Sequence, residues 1–459
     1  MPQPHLYTLL KGGLIALLLT LVVVCMTDGV LAAPGMEWYD LFGADSTGIE
    51  GTDVVATADG GYVLGGLRHV YTDLQSGQPY YVNPILIKTD NAGKLQWAKF
   101  YGNHVKVGWP LRIRQTSDNG FVMLANAPEG GSSDFILIRV DSNGNFLWDR
   151  SYTTSGDAYI VEPTKDGAYM IFAGETIQPH VIHPALVKVD ANGDVEWRKV
   201  YNETPLVMMI PMSPISGQVA PDGGYVLAAA NDSGILLYRT DASGSLQWLK
   251  KYCDPGNVPL SLSVTPDGGY MILAKDEARV WLIKTDSDGT IQWDKRYDEF
   301  KLASGRQLTG GYVINTENRV FMLDNAGNIL WQWGLADINI TMPPFPGNQM
   351  AEFGIASLCR GVDGGLVLAG KYKYNDYTGF DYNSTDFTSA VRNNDALIIK
   401  IYNDTAGNAA INRSNRQLID SLGKNAGGQS IQASPGFGTE VIVIALLLVL
   451  AMMYRRYRD

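Results

Sequence analysis

The chain has 459 residues, of which 46% are hydrophobic, and a formal net charge of −11. This apolar fraction excludes an intrinsically disordered chain, and the negative charge argues against nucleic-acid binding. Among its three cysteines, Cys25 lies in the N-terminal apolar run, which leaves Cys253 and Cys359. Both a single disulfide between these two and a pair of free thiols stay open.

The first 33 residues have the pattern of a secretory signal peptide. Lys11 supplies a positive charge, an apolar run extends from Leu14 to Met26, and small residues follow up to Ala33. The run is short for a membrane span, and no stop-transfer pattern follows it. We predict a cleaved signal over residues 1–33, with an uncleaved N-terminal anchor as the alternative.

From residue 34 onward, the sequence Asp-Gly-Gly-aromatic or a close variant recurs seven times. Glycine accepts the positive φ of a tight turn, and Asp can bond its own backbone two residues further on. A fixed period of this kind is the mark of a repeat architecture. The copies begin at Asp59, Asp118, Asp166, Asp222, Asp267, Thr309 and Asp363.

A second motif, an apolar strand followed by Asp-x-x-Gly-x-x-x-Trp, comes after each of the first six copies. Because it recurs in every repeat, the Asp is predicted to form a turn and the Trp to pack between repeats. The Asp residues are Asp90, Asp141, Asp190, Asp241, Asp286 and Asp324. The Trp residues are Trp97, Trp148, Trp197, Trp248, Trp293 and Trp331.

Each repeat therefore contains four short strands, which is typical of a propeller blade. The seventh repeat lacks the Trp strand, whereas the N-terminal stretch from Trp38 to Gly43 matches the stretch from Trp97 to Gly102. We predict an all-β, seven-bladed propeller over residues 34–405, in which the N-terminal strand completes the last blade.

The repeated strand and Asp-x-x-Gly-x-x-x-Trp motif resembles the quinoprotein-like (PQQ-type) propeller superfamily over nearly all of residues 36–405. The resemblance implies the propeller fold. Enzymes of that superfamily commonly hold their quinone beside an adjacent cysteine pair, and this chain has no such pair. We therefore predict no cofactor.

The C-terminal segment has the pattern of a membrane signal. A polar linker over residues 406–434 leads to a segment, residues 435–459, with an apolar run and an Arg cluster. Pro435, Gly436 and Phe437, followed by these two features, resemble the PGF-CTERM sorting signal of archaeal surface proteins. The resemblance implies removal of the tail by an archaeosortase-like enzyme and a lipid anchor. An ordinary single-pass helix is the alternative, and both interpretations place the propeller at the external face of the membrane.

Six Asn-x-Ser/Thr sequons agree with a secreted surface that can be glycosylated. They lie at Asn202, Asn231, Asn339, Asn383, Asn403 and Asn412.

Long insertions are predicted on one face of the propeller, between the second and third strands of a blade and between blades. The insertions of repeats one and seven, which a closed ring makes neighbours, are rich in aromatic residues. We interpret these as a recognition patch for an envelope glycan or protein, with mutual packing of the insertions as the alternative. The residues are Tyr71, Tyr80, Tyr81, Tyr372, Tyr374, Tyr377, Phe380 and Tyr382.

His180 and His183 lie on the same face and form the nucleus of a conceivable metal site. The flanking Pro179 and Pro184 predict an irregular loop, in which this spacing does not align the two side chains.

The sequence thus favours a surface-anchored propeller that acts as a binding, adhesion or structural envelope module, and it offers no catalytic residues. The alternative is an extracellular propeller enzyme, either a quinone-type oxidoreductase or a polysaccharide hydrolase or lyase. That alternative needs acidic or basic side chains converging on the central channel.

Overall fold

The computed structural model contains seven antiparallel sheets arranged as consecutive blades of a ring. The all-β, seven-bladed propeller predicted from the sequence is confirmed. The structure describes residues 35–43, 48–70, 81–101, 111–127, 135–153, 156–178, 181–202, 206–207, 215–276, 279–298, 303–308, 311–335, 351–376, 391–401, 414–418 and 431–432.

The chain opens with strand β1 (Met36–Gly43) and then builds the first three blades from their inner to their outer strands. Blade 1 contains β2 (Gly48–Ala56), β3 (Tyr62–Val70), β4 (Tyr81–Thr89) and β5 (Leu95–Phe100). Blade 2 contains β6 (Leu111–Gln115), β7 (Phe121–Asn126), β8 (Phe135–Val140) and β9 (Phe146–Tyr152). Blade 3 contains β10 (Ala158–Pro163), β11 (Tyr169–Gln178), β12 (Val181–Val189) and β13 (Val195–Val200), with β14 (Leu206–Val207) paired to β12.

The next three blades repeat the same order. Blade 4 contains β15 (Ile215–Val219), β16 (Tyr225–Asn231), β17 (Gly234–Thr240) and β18 (Leu246–Tyr252). Blade 5 contains β19 (Val258–Val264), β20 (Tyr270–Lys275), β21 (Arg279–Thr285) and β22 (Ile291–Asp298). Blade 6 contains β23 (Ala303–Leu308), β24 (Gly311–Thr316), β25 (Arg319–Leu323) and β26 (Ile329–Gly334).

Blade 7 joins the two ends of the ring. Its first three strands are β27 (Ala351–Arg360), β28 (Leu366–Asp376) and β29 (Val391–Ile401), and its fourth is the N-terminal strand β1. Strand β1 runs antiparallel to β29, with Leu41 opposite Leu397. The predicted closure by the N-terminal strand is therefore confirmed. Two short segments continue the outer edges: β30 (Ser414–Leu418) pairs with β1, and β31 (Ile431–Gln432) pairs with β5.

The hydrophobic core is divided into seven clusters, one between each pair of adjacent blades. At the closing joint, Trp38 from β1 and Ile398 from blade 7 pack with Ile49 and Tyr62 of blade 1. Because every sheet is apolar on both faces, each blade buries both faces against its neighbours. The innermost strand of blade 1 accordingly lies beside those of blades 2 and 7, so the ring is closed.

The Trp motif joins each blade to the next. In blade 1, the Trp97 ring lies against Gly144 in the outer turn of blade 2, where an added Cβ would stand 2.8 Å from the indole. Gly144 also has a φ of 72°, so this turn requires glycine both for its conformation and for its contact. The Tyr101 hydroxyl donates 2.9 Å to the Gly144 carbonyl oxygen. The same hydroxyl contact recurs from Tyr152, Tyr201, Tyr252 and Tyr297.

The recurring Asp residues shape the outer turns. In blade 1, Asp90 Oδ1 accepts hydrogen bonds of 2.9 Å from both the Ala92 and Lys94 backbone N–H groups. The corresponding acceptors in the next five blades are Asp141, Asp190, Asp241, Asp286 and Asp324.

The parts of the chain that the structure describes contain no helix that is long and apolar enough to cross a membrane. The predicted signal over residues 1–33 and the Pro435, Gly436 and Phe437 motif with its apolar run lie outside the described residues.

Candidate functional site

The innermost strands of the seven blades surround the central channel, and their pairing register defines two sets of equivalent positions. Along each innermost strand, the residues that lie between the members of these two sets point into the cores between blades, as Val54 and Ile113 do. Because side chains alternate along a strand, the positions on either side of them share the other orientation. Each set contributes one residue per blade, and the surroundings of the members differ. Val55 and Cys359 are buried in the cores between blades, whereas Asp53, Arg114 and Glu162 form a polar network across three inner strands.

We call the first set the aspartate tier. It consists of Asp53, Arg112, Ile160, Ser216, Ser261, Ser304 and Ser357. The second set, two residues further along each strand, is the arginine tier. It consists of Val55, Arg114, Glu162, Gln218, Ser263, Arg306 and Cys359.

Asp53 bridges the two blades that flank blade 1. Its carboxylate accepts 2.7 Å from the Ser357 hydroxyl of blade 7 and 3.1 Å from the Ile113 N–H of blade 2. It also accepts 3.0 Å from its neighbour Val54 N–H and 3.2 Å from Arg114 Nη1. Burial alone would raise the pKa of Asp53, but nearby arginines and these donors lower it below its ordinary value. Asp53 is therefore a buried, fully ionised carboxylate at the ring closure.

Arg114 extends this network to blade 3. Its Nε donates 2.8 Å to Glu162 Oε1, while its Nη1 contacts Asp53. Desolvation by burial would lower the pKa of Arg114, but the two carboxylates raise it. A chain of charge-assisted hydrogen bonds thus runs through blades 7, 1, 2 and 3.

Two further arginines, Arg112 and Arg306, lie on inner strands and are each half-buried. Asp53 and Arg112 attract each other, and the charge of Arg306 acts on the Tyr312 hydroxyl and the Cys359 thiol. Burial lowers the pKa of Arg112, and the Asp53 carboxylate offsets only part of that shift. The two tiers together hold three arginines and two carboxylates, in a chain whose net charge is −11.

Serines occupy the aspartate tier in four consecutive blades, from blade 4 to blade 7. Ser261 Oγ lies 3.0 Å from the Tyr312 hydroxyl, and Ser304 Oγ donates 2.6 Å to Asn315 Oδ1. Ser216 makes no hydrogen bond with any described residue. In the arginine tier beside Ser357, burial raises the pKa of the Cys359 thiol to about 12, so it is not a reactive thiolate at neutral pH.

On the face opposite the short turns, the hairpins of blades 7 and 1 are longer than most others. Strands β28 and β29 have 11 residues each, and β3 and β4 have nine, against six in β7 and β8. Blade 3 has a similar extension in β11 and β12. Between the two blades, Lys371 Nζ of β28 lies 2.8 Å from Glu50 Oε1 of the innermost strand β2. The hairpins that carry the aromatic insertions of repeats one and seven therefore belong to adjacent blades.

The structure distributes the aromatic residues of the predicted recognition patch among three situations. Tyr372 is 1% exposed and packs in the core between blades 6 and 7, so its ring supports the hairpin from beneath. Tyr81 and Tyr374 lie in the paired ends of their hairpins, opposite Val70 and Asn393. The other members, Tyr71, Tyr80, Tyr377, Phe380 and Tyr382, lie outside the described residues.

Of the two predicted metal ligands, only His183 is described. It lies in strand β12 (Val181–Val189), opposite Glu175, so the predicted irregular loop is wrong from Val181 onward. It is 9% exposed, and its Nδ1 lies 3.3 Å from the Tyr201 carbonyl oxygen, which gives the ring a partner within the fold. His180 lies outside the described residues. Across the described ranges, no group of three or more His, Cys, Asp or Glu side chains is arranged to hold a metal ion.

The cysteines and two sequons can also be placed. Cys253 is an exposed free thiol and Cys359 a buried one, so no disulfide joins them in this structure. Asn202 is exposed, and Asn231 is half-buried, with its Oδ1 accepting 3.0 Å from the Ser233 N–H. The other sequons, at Asn339, Asn383, Asn403 and Asn412, lie outside the described residues.

Sequence reasoning missed two groups of residues. One is a basic side chain on the third strand that pairs with the Asp of the inner turn, as Lys88 does with Asp59 at 2.9 Å. The signal was present, because a Lys or Arg stands two residues before each outer-turn Asp in the first five repeats. The other is the channel set around Asp53 and Arg114. The alternation in Leu-Arg-Ile-Arg of β6 would have indicated one polar and one apolar side of that strand.

No protein-family model matches the sequence, and no curated protein matches it. Among solved structures, the Dos1 propeller is 11% identical with a TM-score of 0.49, covering 86% of this chain and 100% of that chain. A catalytically inactive virginiamycin B lyase from Staphylococcus aureus is 10% identical with a TM-score of 0.45, covering 79% of this chain and 99% of that one. A protein of unknown function from Bacteroides caccae is 15% identical with a TM-score of 0.37, over 55% and 89% of the two chains. None of these carries an argument about function, and the fold rests on the seven sheets themselves.

Proposed function

We propose that the protein is an extracellular propeller held at the cell surface, which binds an envelope glycan or protein through the long hairpins of blades 7 and 1. The observation that carries this proposal is the juxtaposition of those hairpins. Both extend on the same face and belong to neighbouring blades, which Lys371 of β28 and Glu50 of β2 join by an ion pair. Loops on a rigid scaffold are the usual place for recognition.

The insertions that connect the two strands of each hairpin have a composition that suits recognition. Residues 71–80 and 377–390 contain five of the aromatic residues predicted for the patch, together with Asp381 and Asp386. Tyrosine offers a large contact area at low entropic cost and a hydroxyl for hydrogen bonds, which suits both glycans and proteins. The burial of Tyr372 supports the hairpin that presents one of these insertions.

Surface anchoring is supported by the two ends of the sequence. The N-terminal segment has the pattern of a secretory signal, and Pro435, Gly436 and Phe437 open a segment that resembles the PGF-CTERM signal. The proposal places the propeller outside the cell, with its tail either processed by an archaeosortase-like enzyme or retained as a membrane span. Mass spectrometry of the C-terminal peptide from native membranes distinguishes a cleaved, lipid-bearing end from an intact one.

The second candidate is an extracellular propeller enzyme, for which the channel is the relevant observation. Asp53, Arg114 and Glu162 converge there, as a quinone-type oxidoreductase, hydrolase or lyase would need. However, the Asp53 carboxylate already accepts four hydrogen bonds, and Arg114 holds both carboxylates. Groups engaged in this way stabilise the ring closure and are poorly placed to exchange protons, so binding is the better supported function.

The binding proposal is tested by replacing residues 71–80 and 377–390, singly and together, with short Gly-Ser linkers. Replacement of residues 128–134, which join β7 to β8 in blade 2, is the matched control because it also connects a second and a third strand. Pull-down from the envelope fraction of the native cells, with a glycan array in parallel, gives the readout. Loss of binding in the first set alone supports the proposal, and equal loss in the control contradicts it.

A further inference from the structure

The first strand of the propeller enters the fold at the face that carries the inner and outer turns, which we call the short-turn face. In blade 7, Met36 of β1 lies opposite Ile401, and Ile401 lies opposite Leu366. Leu366 directly follows the inner turn of that blade, in which the Gly361 N–H donates 2.8 Å to the Gly365 carbonyl oxygen. The chain before Met36 therefore reaches the ring at the short-turn face of blade 7.

The last two described strands bring the chain back to the same face. Strand β30 runs parallel to β1 on the outer edge of blade 7, and so leads away from the short-turn face. Strand β31 runs antiparallel to β5 on the outer edge of blade 1, where Ile431 lies opposite Ala98. The next residue, Gln432, lies opposite Trp97, one step nearer to the outer turn from which β5 begins. At Gln432 the chain is therefore heading for the short-turn face of blade 1.

Both apolar runs of the sequence lie close to these two points. The N-terminal run ends at Met26 and the C-terminal run begins at Val441, so no more than ten residues separate a run from Met36 or Gln432. A fully extended chain spans at most about 3.6 Å per residue, which limits each connection to about 36 Å. A tail processed at the Pro435 motif would be shorter still. A membrane that holds either end therefore lies near the short-turn face, at the rim of the adjacent blades 7 and 1.

The long hairpins of the same two blades extend from the opposite face, which we call the hairpin face. Strand β28 begins at Leu366, beside the inner turn, and continues for 11 residues to Asp376. Since a strand rises about 3.3 Å per residue, its end stands about 33 Å from the short-turn face. In blade 1, β3 likewise runs from Tyr62, beside the inner turn, to Val70. Both aromatic insertions therefore begin on the side of the ring that is remote from the two chain exits.

We infer that the anchored propeller holds its short-turn face towards the membrane and its long hairpins away from it, so that the hairpins bind a partner in the outer layer of the envelope. This orientation rests on the anchoring and the hairpin recognition of the proposed function. Tethering at blades 7 and 1 sets it, whether the anchor is an N-terminal run, a lipid-bearing tail or a single-pass tail. The face itself need not adhere to lipid. The headgroups of the same membrane are thereby excluded as the partner of the hairpins.

Energy transfer from a single dye on the full chain to a fluorescent lipid measures this orientation. The purified full chain is reconstituted into vesicles of the native polar lipids, with Cys253→Ser to remove the exposed thiol. In blade 6, Asn325→Cys places the dye in the outer turn, and Glu317→Cys places it between β24 and β25 on the hairpin face, both at exposed positions. The strand between them separates the two sites by about 20 Å, so we expect at least about twofold more transfer from the Asn325→Cys dye.

A second pair repeats the comparison in blade 5, where Ser287→Cys lies in the outer turn and Arg279→Cys lies at the opposite end of β21. The same order in both blades is expected, with circular dichroism to verify that each labelled propeller is folded. Equal transfer within either pair, or more transfer from the hairpin face, would overturn the orientation while leaving the anchoring in place. Failure of the unaltered chain to float with the vesicles would instead contradict the anchoring of the proposed function, and the orientation with it.

Discussion

The Tyr152 hydroxyl donates a hydrogen bond of 2.7 Å to the carbonyl oxygen of Gly193, which lies in the next blade. The Trp148 ring of the same strand packs on that glycine, so two side chains of one blade contact a single turn of its neighbour. Five of the seven joints use this pair of contacts. At the two joints that border blade 7, the position of the Tyr is taken by Phe42 and Leu335, which lack a hydroxyl.

Removing one such hydroxyl should weaken one joint. Tyr152→Phe leaves the Gly193 carbonyl without its donor in a buried setting, and we expect a loss of about 1 to 3 kcal/mol in the free energy of unfolding. Tyr225→Phe is the control, because its hydroxyl lies 3.4 Å from its acceptor in a partly buried position. Urea-induced unfolding measures both, and equal losses in the two variants would refute a special role for the joint.

Alanine substitutions at two turn glycines can separate the cost of backbone strain from the cost of a side-chain clash. Gly193 and Gly167 have nearly the same φ, 83° and 82°, but a Cβ on Gly193 would stand 2.7 Å from Arg150 and 2.9 Å from Trp148, whereas Gly167 has open space. Both alanine variants suffer strain from the positive φ. Gly193→Ala should be less stable than Gly167→Ala by a further 1 to 3 kcal/mol, roughly the cost of overpacking. Equal thermal shifts would mean that the Trp contact does not restrict this position.

The closing joint carries a reversed charge pattern. Two residues after the Trp, blades 1 and 3 have Lys99 and Lys199, and Lys99 Nζ donates 2.7 Å to Asn145 in the next turn. At the closing joint, Asp40 of β1 takes the position of Lys99, and Lys94 in the outer turn of blade 1 takes the position of Asn145. We expect this reversal to favour packing of β1 against blade 1, because opposite charges then face each other across the closing joint.

Exchanging these charges should therefore show coupling. Asp40→Lys places a second positive charge beside Lys94 and should destabilise the ring, because like charges repel and the position of Asp40 is only 5% exposed. Adding Lys94→Asn restores the arrangement of the other joints and should recover part of the loss. A double-mutant cycle of unfolding free energies tests this, and purely additive effects would show that the two positions do not interact.

The inner-turn ion pairs make stability depend on acid pH. The hydrogen bond from Lys188 lowers the pKa of Asp166 to about 2, below the value of about 3.9 expected in an unfolded chain. Because the folded pKa is depressed, the contribution of Asp166 is complete above about pH 4 and is lost as the pH falls towards 2. The free energy of unfolding of Asp166→Asn should therefore be lower than that of the unaltered protein at pH 6, and the two values should converge near pH 2. Asp288→Asn, at an exposed turn position, serves as the control in the same urea titrations. If the difference in unfolding free energy between Asp166→Asn and the unaltered protein does not narrow at low pH, the role of the Asp166–Lys188 pair is contradicted.

The fold could be predicted because its signals are local and repeated. The inner turn from Asp59 to Tyr62 and the outer turn from Asp90 to Trp97 each fix a hairpin. Seven copies of the first motif and six of the second indicate the blade count. The closing strand was also accessible, since the stretch from Trp38 fills the one gap in the pattern. In blade 6, Thr309 and Met322 replace both members of the inner-turn ion pair, so neither charge is left without its partner.

The channel could not be predicted in the same way, because its residues are not repeated. Ser357 and Asp53 meet at 2.7 Å although they are 304 residues apart, and only the closed ring brings them together. The position of Arg112 has a different residue type in blade 1, blade 3 and blade 4, so no pattern marks it. The burial of Tyr372 likewise depends on how blades 6 and 7 pack, which the aromatic content of its segment does not reveal.

The most direct test of the account is the binding of the purified full chain to the envelope fraction of its native cells. We predict saturable binding that is lost when residues 71–80 and 377–390 are replaced with Gly-Ser linkers, while replacement of residues 128–134 leaves it intact. Circular dichroism of each variant verifies that the propeller is still folded. Undiminished binding by the folded double-loop variant would contradict recognition through the hairpins of blades 7 and 1.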